Sequence, residues 1–392
     1  MLSQTNEKTL TEFQQLLLDA ERIGKLAESE VEEMEKNQTV SENVIKALKE
    51  TQIPKLLLPK RYGGPQVSYR EYSEIIRKVS KYNMSAGWIT FLYTTHNIWA
   101  AYLPEKGRDV VINQGGLIAD IFSPIGKVEV DGDGFRLSGT YSFVSGVLHS
   151  DWVAVGAFME YPGSGQKEHV AFNLPTRDVQ IIRNWDVLGL RGTGSNQVVV
   201  DNIYVPKEQV LRLSEIDKVM RPLDGTGFDE DYFFFNKPFF VPFIAGFSMV
   251  ALGGAERLIE EFKERTEKRT RLRGVVAKES RHQGVLAELN IRYFEAEGLM
   301  SRVFEMLENY NPNDGDQRAE FAAIRARIIH NCTEIAQRVL LVLGGFSLYK
   351  GHPVELFFRD MHAVSAHRSN LYDDSIEAYG RSLFGFEHGV VG

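Results

Sequence analysis

The densest concentration of residues able to do chemistry without a metal is the run Trp185-Asp186-Val187-Leu188-Gly189-Leu190-Arg191-Gly192-Thr193-Gly194-Ser195. Gly189, Gly192 and Gly194 permit positive φ and close backbone approach, and Thr193 and Ser195 add hydroxyls. Such a loop can hydrogen-bond a heteroaromatic ring or a phosphate; read alone, it is equally a tight turn entering a strand. Gly344-Gly345 is either a second close-approach point or a helix C-cap. Arg269, Arg271 and Arg273 form a guanidinium group suited to phosphate, or a solvated helix end. No Gly-x-Gly-x-x-Gly sits between a strand and a helix, so NAD(P)H is not expected to bind this chain. Cys332 is the single cysteine, which excludes an intrachain disulfide and a cysteine metal cluster and fits a reducing cytoplasm. No metal site is expected.

Composition narrows the partners. The 392 residues carry a formal charge of −8 and 43% apolar side chains, which argues for a globular chain with a sizeable core and against a nucleic-acid or anionic-membrane surface. The one dense basic stretch, Lys263 to Arg273, is broken by Glu264 and Glu267. The N-terminus lacks the basic-then-apolar pattern of a secretory signal, and no apolar run is long enough to span a bilayer. A cytoplasmic protein is expected.

The elements that must position these residues fall in the order α, β, α. Apolar residues recur at helical spacing from Leu10 to about Lys36, Ser41 opens a second helix, and Tyr69 to Val79 and Met84 to Tyr102 continue the pattern. Short Val-, Ile- and Phe-rich runs, among them Leu117 to Phe122 and Lys127 to Val130, then alternate with turns, including the hairpin signal Asp131-Gly132-Asp133-Gly134, up to the run Gln197 to Val205. From about Pro242 three long helical patterns and a shorter one near Asn370 to Leu383 read as a four-helix bundle. The expected division is an N-terminal helical domain over 1–115, a β domain over 116–210, and a connection plus bundle over 211–392. The connection Leu211 to Phe240 has the length and composition of a substrate loop.

The loop from Trp185, followed by a strand and Asp201-Asn202-Ile203-Tyr204-Val205-Pro206, resembles the signature of the acyl-CoA dehydrogenase superfamily. A second match is Leu343-Gly344-Gly345-Phe346 followed by Pro353-Val354-Glu355 and Phe358-Arg359-Asp360, similar to that family's C-terminal helix and flavin-contacting loop. The resemblance covers nearly the whole chain and implies an α+β fold: a helical domain, a middle β-barrel or sandwich, and a C-terminal four-helix bundle. It also implies a homotetramer.

Within that family the dehydrogenases use a carboxylate base shortly after the Arg-Asp pair, where this chain has Arg368 and no acid before Asp373. Asp120-Ile121-Phe122-Ser123-Pro124 stands where they have Thr-Glu-Pro. Gly139 to Gly146, then His149-Ser150-Asp151-Trp152, is similar to the oxygenase components of two-component flavin monooxygenases. The resemblance implies that Ser145, His367 and His96 are the catalytic residues, with His362 the alternative to His367. It further implies flavin contacts from Phe143, Ser145, Gly192, Thr193, Ser195, Gly344 and Gly345, and from Arg271 and Gln283 of a neighbouring subunit. The implied reaction uses reduced flavin, FMN ahead of FAD, delivered by a separate NAD(P)H:flavin reductase. Dioxygen then gives a C4a-hydroperoxyflavin, which serine and imidazole donors would stabilise.

The implied substrate is a small aromatic, heteroaromatic or amine compound, against Trp88, Phe91 and His96, with His96 taking its proton. Phe143, Trp185 and Phe233 to Phe235 suit a flat apolar pocket or plain core packing. Two other readings stay open: an acyl-CoA dehydrogenase with a displaced base, and a non-catalytic flavin-binding relative.

Overall fold

The computed structural model describes residues 10–229, 231–272, 274–311, 317–387 and 389. Six helices come first: α1 (Glu12–Ser29), α2 (Val31–Asn37), α3 (Glu42–Lys49), α4 (Tyr69–Tyr82), α5 (Met84–Ala100) and α6 (Glu105–Gln114). Their starts are set by local chemistry. Thr11 with Gln14, and Ser68 with Glu71, close reciprocal capping boxes, and the Asn83 side chain accepts the Ala86 N–H to open α5. The long helix expected from Leu10 to Lys36 is two helices, because the chain leaves helical geometry at Glu30.

Strands β1 (Ile118–Asp131), β2 (Gly134–Val144), β3 (Trp152–Glu160), β4 (Lys167–Pro175), β5 (Gln180–Ile182), β6 (Asn196–Pro206) and β7 (Val210–Leu211) form one sheet in the order β5-β6-β2-β1-β3-β4-β7. Strand β1 changes partner along its length: Ile118 to Gly126 run parallel to β3, and Lys127 to Asp131 run antiparallel to β2. The register shifts at Ile125, where β1 crosses from one half of the sheet to the other, so two runs that looked like separate strands in sequence are one bent strand. The β domain has its own apolar core, built on Leu137, Tyr141, Val155 and Phe172.

The connection after β7 contains a short helix, α7 (Leu213–Val219), and leads to α8 (Phe240–Lys268). The small hairpin β8 (Thr270–Arg271) and β9 (Gly274–Val275) joins α8 to α9 (Ser280–Glu308), and then come α10 (Arg318–Leu343), α11 (Pro353–Ser365) and α12 (Tyr372–Leu383). Helix α8 packs against α4, α5, α9 and α10, and α10 against α9, α11 and α12. One apolar core therefore runs through the N-terminal helices and the bundle without a break. Cys332 of α10 lies in it, fully buried. Helix α5 is buried on nearly every side, which is why its sequence is apolar all round. It carries the side chains on which the site is built.

Candidate active site

Trp88 and Phe91 of α5 meet Phe247 of α8 and His367, which follows α11. The ring centroids of Trp88 and Phe247 are 4.8 Å apart, those of Phe247 and His367 4.5 Å, and those of Phe91 and Phe247 5.1 Å. Gly246 makes this approach possible, since a Cβ there would lie 2.2 Å from the Phe91 ring. The Ser369 N–H donates to Nδ1 of His367 at 3.3 Å, so the neutral ring carries its hydrogen on Nε2. Burial among the rings, with the nearby Arg325 cation, pushes the His367 pKa down to about 4. His367 is thus a neutral N–H donor at physiological pH. His362 stands on α11 with Nδ1 2.7 Å from the Phe358 carbonyl and its ring on Phe358, apart from this cluster.

A row of hydroxyls extends from Trp88. Its indole N–H donates to Ser145 Oγ at 3.3 Å, Ser145 Oγ lies 2.7 Å from Ser195 Oγ, and Ser195 Oγ lies 2.7 Å from Thr193 Oγ1. Thr193 donates to the Leu190 carbonyl at 2.9 Å. Each hydroxyl has one hydrogen, so the row has one direction: Thr193 gives to Leu190, Ser195 to Thr193, and Ser145 to Ser195. Ser145 then offers its remaining lone pair as an acceptor. Sequence reasoning expected a donor at Ser145, and the direction of the row reverses that role. Gly146 after it is held on both sides, its N–H donating to the Thr193 carbonyl and its own carbonyl accepting from Tyr93.

His96 lies two turns further along α5, about 12 Å by helical rise. Its Nδ1 is 2.8 Å from the Ile118 carbonyl, which can only accept, so Nδ1 carries hydrogen. Its Nε2 is 3.2 Å from Asp120 Oδ2, which also accepts the Trp99 indole N–H at 3.2 Å. Burial raises the Asp120 pKa, opposed by His96 and the Trp99 hydrogen bond. With Nδ1 on a carbonyl and Nε2 on the carboxyl, both ring nitrogens of His96 have partners within the protein. The lone base expected here is a His–Asp pair.

The Trp185 to Ser195 loop is clamped by α11. Asp360, buried, accepts the Leu190 N–H at 2.6 Å, and Arg359 donates to the Leu188 carbonyl at 2.7 Å and to Glu35 at 2.9 Å. Burial pushes the Asp360 pKa up to about 7. Of the three loop glycines only Gly194 has positive φ; Gly189 and Gly192 are required by close approach to the Arg359 carbonyl and to Ser85. Gly192 therefore serves packing. Phe143 sits at φ 68° where the β2–β6 register shifts, exposed, with its ring edge-on to Trp185 at 6.0 Å.

The structure brings Trp88, Phe91, Ser145, Thr193, Ser195 and His367 together. Among the described residues, no hydrogen bond, ion pair or ring contact joins Arg271, Gln283, Gly344 or Gly345 to them. Arg271 pairs with Glu279, Gln283 donates to the Ala277 carbonyl, and Arg269 donates to the Leu343 carbonyl beside the Gly344 cap of α10, all at one exposed end of the bundle. Arg273 lies outside the described residues. Phe233 and Phe235 pack on Tyr69 and Tyr102 in the core rather than on His367. Phe247, Asp120 and Arg325 are the site residues that sequence reasoning missed. Asp120 had a signal, as an acid inside the apolar run Leu117 to Phe122.

The acyl-CoA dehydrogenase N-terminal domain matches residues 12–109 and the acyl-CoA dehydrogenase C-terminal domain matches residues 245–371. The oxygenase component of p-hydroxyphenylacetate 3-hydroxylase from Acinetobacter baumannii is 28% identical over 96% of this chain and 89% of its own length. Among solved structures, XiaF from Streptomyces sp., in complex with FADH2 and glycerol, superposes with a TM-score of 0.88 at 21% identity over 97% of each chain. TdsC from Paenibacillus sp., with FMN and indole, gives a TM-score of 0.80 at 19% identity over 96% of this chain and 99% of that one. With the enolising carboxylate missing from the α11 end and the neutral His367 imidazole beside that position, the chain belongs to the acyl-CoA dehydrogenase family, in its branch of flavin-dependent monooxygenase oxygenase components.

Proposed function

We propose that this protein takes reduced flavin from a separate NAD(P)H:flavin reductase and places one oxygen atom of dioxygen into a small aromatic, heteroaromatic or amine substrate. The observation that carries the reading is the pairing of a neutral Nε2–H donor at His367 with an acceptor hydroxyl at Ser145, both touching the Trp88 ring, with no carboxylate among the described residues bonded to either. Reduced flavin fits this donor set, because its central ring edge presents an N–H that Ser145 can accept. Bound there, it would supply the electrons that activate dioxygen. FADH2 in XiaF and FMN in TdsC mark both forms as candidates.

His367 donates a hydrogen bond from a partly buried aromatic wall, where a polar interaction is stronger than in open water. Ser145 orients the ring edge. Trp88 and Phe91 supply apolar surface for a flat substrate, and the His96–Asp120 pair holds a proton at the far end of α5, where a phenol or amine can exchange hydrogen with it. We place the enzyme in the cytoplasm beside its reductase; among the described residues no helix is long and apolar enough to cross a membrane. Exposed apolar side chains on the bundle support a homotetramer, in which Arg271, Gln283, Gly344 and Gly345 would reach the flavin of a neighbouring subunit.

The test is anaerobic loading with reduced flavin and a panel of phenols, indoles and amines, followed by isotopically heavy dioxygen. A product bearing one heavy oxygen atom is the expected result. Flavin bleached by an acyl-CoA instead, with no oxygen incorporated, would replace this reading with a dehydrogenase.

A further inference from the structure

Arg325 of α10 is 5% exposed and, among the described residues, takes part in no ion pair. Its partners are neutral: Nη1–H donates to Asn370 Oδ1 at 2.6 Å and Nη2–H to the Ser369 carbonyl, while Nε, also buried, has no partner. A guanidinium buried without a carboxylate is costly, and such charges are normally paired. Burial holds its pKa down to about 9, which leaves it a cation at neutral pH. Both groups it grips belong to the turn that carries His367. The Ser369 N–H donates to His367 Nδ1, the Asn370 N–H donates to the His367 carbonyl at 2.7 Å, and the Asn370 side chain donates to the Val364 carbonyl at 2.7 Å, tying the turn to α11.

We propose that Arg325 is a positioning residue for His367: its fork fixes the Ser369–Asn370 turn so that a backbone amide occupies Nδ1, and its unbalanced charge keeps a second proton off the ring. Among the described residues, the groups facing His367 are the Trp88 ring from α5, the Phe247 ring from α8, Arg325 from α10 and the Ser369 amide of its own turn. Arg325 is the only charged one among them. A carboxylate paired with Arg325 would cancel the effect on the ring, which gives the missing ion pair a function. Lysine cannot replace it fully, since an ammonium keeps the charge but lacks the planar fork that reaches two acceptors at once.

The inference rests on His367 being the donor of the proposed function, and the experiment separates the two. Isotope-labelled histidines are titrated by NMR in the flavin-free enzyme, with His367→Asn assigning the signal, for the wild type, Arg325→Met and Arg325→Lys. The ratio of oxygenated product to hydrogen peroxide is measured in parallel. In Arg325→Met the His367 midpoint should rise by about one pH unit or more, a tenfold gain in proton affinity. In Arg325→Lys the midpoint should rise less, while the ring-nitrogen shifts report a mixture of tautomers. The lysine variant, which keeps the charge, decides the matter if the methionine variant does not fold. Unchanged midpoint and tautomer in every variant that folds would overturn the inference. A shifted midpoint with an unchanged product-to-peroxide ratio would uphold Arg325's hold on the ring and remove His367 from the proposed function.

Discussion

Thr193 sits furthest from any ligand in the hydroxyl row, yet it decides what Ser145 can do. Because Thr193 spends its hydrogen on the Leu190 carbonyl, every oxygen behind it must donate in the same sense. Thr193→Val removes that terminus: Ser195 loses its acceptor, turns its hydrogen to Ser145, and Ser145 becomes a donor. Reduced flavin presents an N–H at the ring edge where oxidised flavin has a bare nitrogen. The variant should therefore bind oxidised flavin relatively better, by up to about tenfold for one net hydrogen bond. Anaerobic and aerobic fluorescence titrations measure the ratio, and an unchanged preference would show that the row does not set it. At the other end of α5, Asp120→Asn puts an amide in place of the carboxyl and takes the acid out of the pair. Oxygenation of phenols should fall by about two orders of magnitude or more, the size of a lost general acid–base contribution, with flavin affinity unchanged.

Helix α11 acts on the site as a unit, through Asp360 and Arg359 on adjacent positions holding the Leu188 to Leu190 backbone. The Asp360 pKa lies at about 7 in the fold against an ordinary 3.8, so its contribution to stability is complete below 3.8 and is lost as pH rises through about 7. His367 has the opposite sense: its pKa falls from 6.5 to about 4, so its contribution is present above 6.5 and is lost on acidification toward 4. The two slopes oppose each other over the same window. Asp360→Asn keeps an acceptor for Leu190 and removes one slope, so the stability of the variant relative to the wild type should fall as pH drops from about 7 to 4. Denaturant melts at a series of pH values check this, and parallel curves would refute it.

The loop and the helix that form this clamp were both readable in the sequence as motifs, since their spacing is local. What joins them was not readable, because a carboxylate reaching an amide 170 positions away leaves no periodic trace. Helical patterning located α4 and the long bundle helices, whose faces alternate, and extended through α5, which is apolar all round. It merged α1 with α2, and it treated β1 as two runs, because a change of sheet partner alters no residue's preference for extended backbone. Phe247 and Arg325 read as ordinary core and helix residues until α8 and α10 are set against α5 and the His367 turn.

On the scale of the whole molecule, the chain leaves a group of large apolar side chains unburied around the C-terminal helices. Leu341 is 75% exposed and Phe346 77%, with Leu348, Tyr349, Phe384 and Phe386 also open to solvent around the C-terminal helices. The same end of the bundle carries Gly344, Gly345 and the Arg271–Gln283 segment, which in a single chain touch nothing in the site. A tetramer would cover the one and employ the other. Multi-angle light scattering should give four times the mass of one chain, and Leu341→Glu with Phe346→Glu should yield smaller species with weakened flavin binding. A wild-type monomer would contradict the assembly.

One property of the core bears on how long such an enzyme survives its own chemistry. Turnover that fails to reach a substrate sheds hydrogen peroxide, which attacks protein sulfur as thiolate. The chain's sole thiol, Cys332, is sealed inside α10, and burial holds its pKa up at about 12, so almost no thiolate exists and oxidant has no path to it. Wasted cycles should leave this sulfur in its reduced form, and loss of activity under peroxide should follow Met220 instead, the one methionine among the described residues that is not buried.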